Sequence, residues 1–224
     1  MIVHEMEPIA LIGGGTLNTG DFDACLALTS YVVAADGGAA VCVNHDVIPN
    51  AVIGDMDSVD EETLSRLPPE RIHRVLEQDS TDFDKALRNI SAPLIIGAGF
   101  TGGRMDHELA CFNAMLRHAD RRCILVGECD IVFLAPPTLT MPLVAGTRVS
   151  LFPLSRVAGH SQGLRWPIGG LDFRPDGKIG TSNEAVGPVT LDWDRAGMLV
   201  ILPRDCLEGA VKALVAQPGS WSAH

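Results

Sequence analysis

Residues 53–58 read IGDMDS, which sets the carboxylates of Asp55 and Asp57 two positions apart. At the end of a strand, side chains at i and i+2 leave on the same side. Like charges that close repel unless something positive lies between them. The same chain places further carboxylates in comparable contexts: Asp36 in ADGGA, Asp79 and Asp82 in EQDSTDFDKAL, and Asp106 in GFTGGRMDHE. Such a rim, with Arg104 as its arginine, suits either a cationic substrate or a hard metal ion. Aspartate and threonine oxygens match Mg²⁺, which keeps several waters and is commonly shared with substrate phosphates. Without a metal the rim would repel a polyphosphate, so phosphate chemistry here requires the ion as a bridge. Thr81, opening TDFDKALR, would set a hydroxyl and free backbone N–H groups at a helix N-terminus, where phosphate is well received. Arg104 adds a fork-shaped donor for phosphate oxygens.

The elements that must position these groups follow from the hydrophobic pattern. Strands are expected at 9–14, 31–36, 51–55, 71–76, 93–98 and 122–127, with helices near 21–30, 37–45, 60–67, 81–91 and 105–119. Runs that are apolar throughout and joined by helices predict a parallel sheet covered on both faces. In such a sheet ligands sit beyond the carboxyl ends of the strands. The acidic motifs above follow four consecutive expected strands. A single aspartate in such a place is ordinarily a helix cap or turn residue; four in register, two beside glycines, point to a site. After LAPPTLTMP (134–142) the texture changes to short alternating stretches punctuated by Gly, Pro and Asp-Gly. That pattern predicts a small all-β sandwich. The fold class expected is therefore α/β: a parallel-sheet, Rossmann-like α/β domain over residues 1–138, then a β-sandwich domain over 139–224. The latter carries a helical tail from Asp205, with Asp205 and Glu208 spaced as a capping box.

Composition narrows the partners. The chain has 224 residues, 46% of them hydrophobic, enough for one good core or two small ones. An excess of 28 acidic over 17 basic residues, net charge −11, argues against nucleic acid and anionic membrane surfaces. The six cysteines form no C-x-x-C pair and read as reduced and mostly buried. With no apolar leader and no segment of membrane-spanning length, the sequence reads as that of a soluble cytoplasmic protein.

Several motifs fail on inspection. GGGTLN (13–18) does not complete G-x-G-x-x-G because position 18 is Asn, and no Walker A motif occurs. GHSQG (159–163) matches the nucleophile elbow of serine hydrolases, but its flanks are β-like rather than strand-to-helix, and the only histidine after Ser161 is His224. His45, His73 and His118 are scattered and read as surface or packing residues.

The ordered set ADGGA, IGDMDS, QDSTDFDKAL and GGRMDH, followed by GLRWPI and TSNE (181–184), resembles the motifs of the thiamine pyrophosphokinase family over nearly the whole chain to about residue 203. The resemblance implies transfer of the diphosphoryl unit of ATP to the hydroxyl of thiamine with release of AMP. It further implies Mg²⁺ and a homodimer with composite sites, each built from the sandwich of one subunit and the α/β domain of the other. Carried over by motif, Asp55, Asp57 and Asp82 become the metal-side carboxylates. Asp36, Gly37, Thr81, Arg104 and Asp106 become nucleotide-side. Gln78 lies near the reacting hydroxyl, and Trp166, Ser182 and Asn183 lie on the thiamine side. A flat cationic ligand suits an aromatic face, although Trp166 as a sandwich core residue remains an equal reading. The chain departs from the family pattern at ELACFNAML after GGRMDH and in the tail 205–224. A pyrophosphokinase acting on another alcohol such as a pterin would lack the GLRW and TSNE side. A non-catalytic thiamine or nucleotide sensor could dispense with the metal carboxylates.

Overall fold

The computed structural model describes residues 1–217 and 219–222; residues 218, 223 and 224, part of the expected helical tail, lie outside the described residues. The chain divides into two compact units, one of Met1–Ala114 with Leu125–Glu128, the other of Met115–Ile124 with Cys129–His224. No helix among the described residues is long and apolar enough to cross a membrane.

The first unit runs β1 (Val3–His4), β2 (Ile9–Ile12), α1 (Thr19–Leu26), β3 (Tyr31–Ala35), α2 (Gly38–Asn44), β4 (Ala51–Gly54), α3 (Glu61–Arg66), β5 (Ile72–Arg74), α4 (Asp82–Asn89), β6 (Ile90–Ser91) and β7 (Ile95–Ala98). Helix α5 (Met105–Arg117) and strand β8 (Cys123–Val126) follow, and the division between the units falls within them. Five of the six expected strands form a parallel sheet in the order β7-β2-β3-β4-β5. Burial on both faces explains why these strands read as unbroken apolar runs: Ile9, Leu11, Ile12, Val33, Ile53 and Ile96 are all fully buried. The two-residue strands β1 and β6 pair in parallel and were not foreseen. Because β2 pairs with β3 on one side and β7 on the other, the strand order reverses at β2. A crevice is expected outside the carboxyl ends of β2 and β7.

The second unit contains β9 (Asp130–Leu134), β10 (Thr138–Met141), β11 (Arg148–Pro153), β12 (Val157–Leu164), β13 (Asp172–Phe173), β14 (Gly180–Trp193), β15 (Met198–Pro203) and α6 (Leu207–Ala216). All its strand pairs are antiparallel. The 14-residue β14 pairs with β11 through its first half and with β10 and β12 through its second. The unit starts earlier than residue 139 because β9 pairs along its length with β15. The tail is helical, but the expected capping box does not form: a 3₁₀ turn over Arg204–Cys206 precedes α6, whose N-cap is Cys206 with no side-chain cap bond. At its far end the Arg122 guanidinium donates to the carbonyl of Leu214, one of the acceptors that a helix C-terminus leaves open, and to that of Gly219 beyond the helix. Ser161 lies within β12, and its Oγ accepts from Ile168 N–H, so GHSQG is a strand and not an elbow.

Candidate active site

The first unit gathers its acidic motifs at the carboxyl ends of β3 and β4 and the start of α4. Asp36 follows β3 with φ 42° and is almost wholly buried. Its Oδ1 accepts from Met56 N–H (2.8 Å) and its Oδ2 from Ser58 N–H (3.2 Å), so this carboxylate shapes the loop that carries Asp55 and Asp57. Aspartate tolerates the left-handed region better than most residues, and Met56 in the same loop adopts φ 68°. Gly54 is required at the turn, since a Cβ there would come within 2.8 Å of the Asp36 Cβ.

Asp36, Asp55 and Asp57 each present a carboxylate oxygen, all within 4.8 Å of one another. The hydroxyl of Ser58 donates to Asp57 (2.9 Å), which is exposed, and Asp57 N–H donates to Asp55 Oδ1 at 3.3 Å. Asp55 Oδ2 accepts from Gln78 Nε2 (3.2 Å) and from Lys85 Nζ (2.7 Å). Lys85 also donates to Asp82 Oδ1 at 3.1 Å. Asp82, expected beside Asp55 and Asp57, reaches Asp55 only through the shared Lys85, and the close group of three carboxylates contains Asp36 in its place. The bond from Lys85 holds the Asp55 carboxyl below its ordinary value. Burial pushes Asp82 up, against the opposing pull of Lys85. Burial alone would lower Lys85, but its bonds to Asp55 and Asp82 outweigh that and raise it.

Beside this cluster a cavity of about 590 Å³ opens at the switch point. Gly13–Thr16 after β2 and Gly99 after β7 line it, with Asp36, Gly37, Thr81, Asp82, Phe83, Phe100, Arg104, His107 and Cys111. Gly13, Gly15 and Gly99 are needed because the two loops touch: a Cβ on Gly13 or Gly15 would lie 2.6 Å from Gly99 O, and Gly99 adopts φ +82°. The GGGTLN stretch thus lines this cavity without completing the dinucleotide fingerprint, a place that its lack of charged residues does not signal in the sequence. Thr81 caps α4, its Oγ1 accepting from Asp84 N–H at 3.3 Å. Arg104 and Asp106 are both exposed and face each other as a bidentate pair at 3.1 and 2.6 Å, so the guanidinium fork engages its neighbour. That pairing keeps Asp106 low and Arg104 high. Burial pushes Cys111 up to about 12, a thiol inert at neutral pH. No disulfide joins the six cysteines, and four are buried as expected.

In the second unit Trp166, Ser182 and Asn183 come together. Asn183 is buried, and its amide clamps the main chain of Trp166: Nδ2 donates to Trp166 O (2.7 Å) and Oδ1 accepts from Trp166 N–H (3.2 Å) and Glu184 N–H (2.8 Å). Ser182 adopts φ 61° and its N–H donates to Ser150 Oγ. Trp166 is 54% exposed, which removes the core reading, and the Arg165 guanidinium lies 5.0 Å from its ring centroid. A separate groove of about 820 Å³ in this unit, walled by Arg156, His160, Asp172 and Trp193, contains none of the expected site residues.

An open parallel α/β unit with a glycine-lined cavity at its switch point, flanked by a carboxylate cluster and followed by a β unit, defines a class of ligand-binding α/β proteins. Within it, residues 20–126 match the family described as thiamin pyrophosphokinase, catalytic domain. The chain is similar to thiamine pyrophosphokinase 1 of Arabidopsis thaliana, 28% identical over 185 residues that take in 67% of this chain and 69% of that one. It is also similar to thiamine pyrophosphokinase 2 of the same plant, 29% identical over 60% of this chain and 58% of that protein. Matched stretches thus span about three-fifths to two-thirds of these relatives. Among solved structures, thiamin pyrophosphokinase from Geobacillus thermodenitrificans superposes with TM-score 0.72 at 26% identity, covering 88% of this chain and 96% of that one. Thiamin pyrophosphokinase from Candida albicans shares the fold, with TM-score 0.75 at 17% identity over 88% of this chain and 89% of the other. Residues 20–126 are thus similar to the thiamin pyrophosphokinase catalytic domain, and the chain shares its fold with solved thiamin pyrophosphokinases.

Proposed function

We propose that the protein is a thiamine diphosphokinase, which transfers the diphosphoryl group of ATP to the hydroxyl of thiamine and releases AMP. The observation that carries this reading is the adjacency, in one unit, of the glycine-lined cavity and the Asp36, Asp55 and Asp57 triad. An all-oxygen set of three carboxylates fits a hard divalent ion such as Mg²⁺, with Asp55 and Asp57 as the principal holders and Asp82 close by through Lys85. Bound there, Mg²⁺ would offset the charge of the nucleotide phosphates. The chain's own residues bind and orient. Backbone N–H groups of the α4 start at Thr81 receive phosphate oxygens, while the Gly13–Gly15 loop, whose Gly13 and Gly15 N–H groups are held by Ala98 O and Gly99 O, gives the nucleotide a close approach to the backbone. Asp36 and Gly37 line the nucleotide cavity beside them. Arg104 exchanges its exposed pairing with Asp106 for a phosphate. Gln78, held on Asp55, orients the attacking hydroxyl rather than removing its proton, since a loose transition state asks little of a base.

On the thiamine side, the exposed Trp166 face takes the flat cationic ring. Ser182 offers a hydroxyl, and Asn183 acts through the main chain of Trp166. A cytoplasmic homodimer in which each site draws on both chains belongs to the same proposal. Incubation of the purified protein with ATP, Mg²⁺ and thiamine tests it: AMP and thiamine diphosphate are expected, while ADP as the co-product, or no turnover, would contradict it.

A further inference from the structure

Among the described residues Lys85 is the only lysine or arginine that is buried. It lies one turn into α4, where Phe83, Asp84, Ala86 and Leu87 are buried with it. Its main chain is fixed at both ends, N–H to Thr81 O and carbonyl to Asn89 Nδ2. An ammonium in such a place is tolerated only if its charge is met, and it is met by two carboxylates from different elements. Asp55 comes from the end of β4 and Asp82 from the first turn of α4, at 2.7 and 3.1 Å. Lys85 therefore ties the β4 loop to the helix and occupies Asp55 Oδ2 and Asp82 Oδ1. Asp55 Oδ1 remains turned to the Asp57 loop, where its contact is a long 3.3 Å bond.

We propose that Lys85 is a positioning residue which serves as the resident counter-charge of the carboxylate rim. It keeps Asp55 and Asp82 assembled in the free protein and holds the affinity for a bare divalent ion low, so that the ion enters with the nucleotide phosphates. The physical logic is twofold. Without Lys85 the cluster would repel itself and need an ion to assemble. With Lys85 one unit of the attraction for that ion is already spent and two carboxylate oxygens are occupied. A nucleotide-bound ion brings its own phosphate ligands and does not depend on those two oxygens. This inference rests on reading the rim as the cation site of the proposed transferase.

The test is binding of Mn²⁺ alone, by calorimetry or electron paramagnetic resonance, to nucleotide-free wild type, Lys85→Met and Lys85→Gln. Removing the competing charge should tighten Mn²⁺ by about tenfold or more in both variants. Mg²⁺ should also raise their melting temperatures more than that of the wild type. Unchanged or weaker Mn²⁺ binding in a folded variant would overturn the proposal. So would variants that stay unfolded at saturating Mg²⁺, since an ion could then not take the lysine's place. No thiamine and no turnover enter this measurement. Tightened Mn²⁺ binding without thiamine diphosphate synthesis would therefore sink the functional reading alone, and the converse would sink only the role of Lys85.

Discussion

Lys85 and Trp166 are both large residues beside groups proposed for binding, yet the lysine is 2% exposed and the tryptophan 54%. In the first unit a charged group is sunk and cross-braced so that Asp55 and Asp82 keep fixed places. In the second, the aromatic face is left open and only its backbone is fixed, by the buried Asn183 amide. Under the proposed function, the difference follows from what each ligand would require. Electrostatic work on phosphate chemistry depends on dipoles and charges that do not reorganise. Recognition of a flat cation depends on a bare π-face whose ring is free to be covered.

The contrast is broken most severely at the carboxylates. Asp57→Asn preserves shape and removes a charge from the triad, and because Asp57 is exposed the fold should survive. We expect kcat/KM to fall by on the order of 10²-fold or more. Near-normal turnover in the folded variant would take Asp57 out of the site. On the other side Trp166→Ala should weaken thiamine binding by roughly 1–2 kcal/mol, about 5- to 30-fold, with ATP affinity unchanged. The exposed ring contributes little to the core, so the melting temperature should hold. Asn183→Ala sharpens this pair: it removes a buried amide from three main-chain bonds and should lower the melting temperature as well as thiamine affinity. If Asn183→Ala left stability untouched, the clamp on Trp166 would be wrong.

The smallest effect is a pH dependence. Asp55 has its pKa lowered by the bond from Lys85, so the folded protein holds this proton less readily than the unfolded chain. Its contribution to stability is therefore fully present above the unfolded carboxyl value of about 3.9 and is lost as pH falls through the lower folded value. Asp82, raised chiefly by burial, contributes with the opposite sign. Carboxyl titration by NMR should find Asp55 below Asp82 in the wild type. It should find Asp55 shifted upward in Lys85→Met, and a reversed order in the wild type would contradict the bridge.

Much of the first unit was legible because parallel strands buried on both faces leave a plain signature: five of the six expected strands sit in one sheet. With them came the loops that carry Asp36, Asp55, Asp57 and Asp82. Lys85 was not legible. Within TDFDKALR it resembles an ordinary helical lysine, and its burial depends on how α4 lies against β4, although its spacing three residues after Asp82 was a visible hint. The Gly13–Thr16 loop was not legible either, since it completes no fingerprint and its close backbone approach to Gly99 leaves no charged residue to notice. Trp166 could not be assigned to core or surface from GLRWPI, since β12 and β14 alternate buried and exposed positions and bulge near this point.

The most direct test of the central claim follows the phosphorus atoms. Given thiamine and ATP labelled with ³²P at the β position alone, the label should appear in thiamine diphosphate and AMP should be unlabelled. Label retained in ADP, with none on the thiamine product, would contradict diphosphoryl transfer.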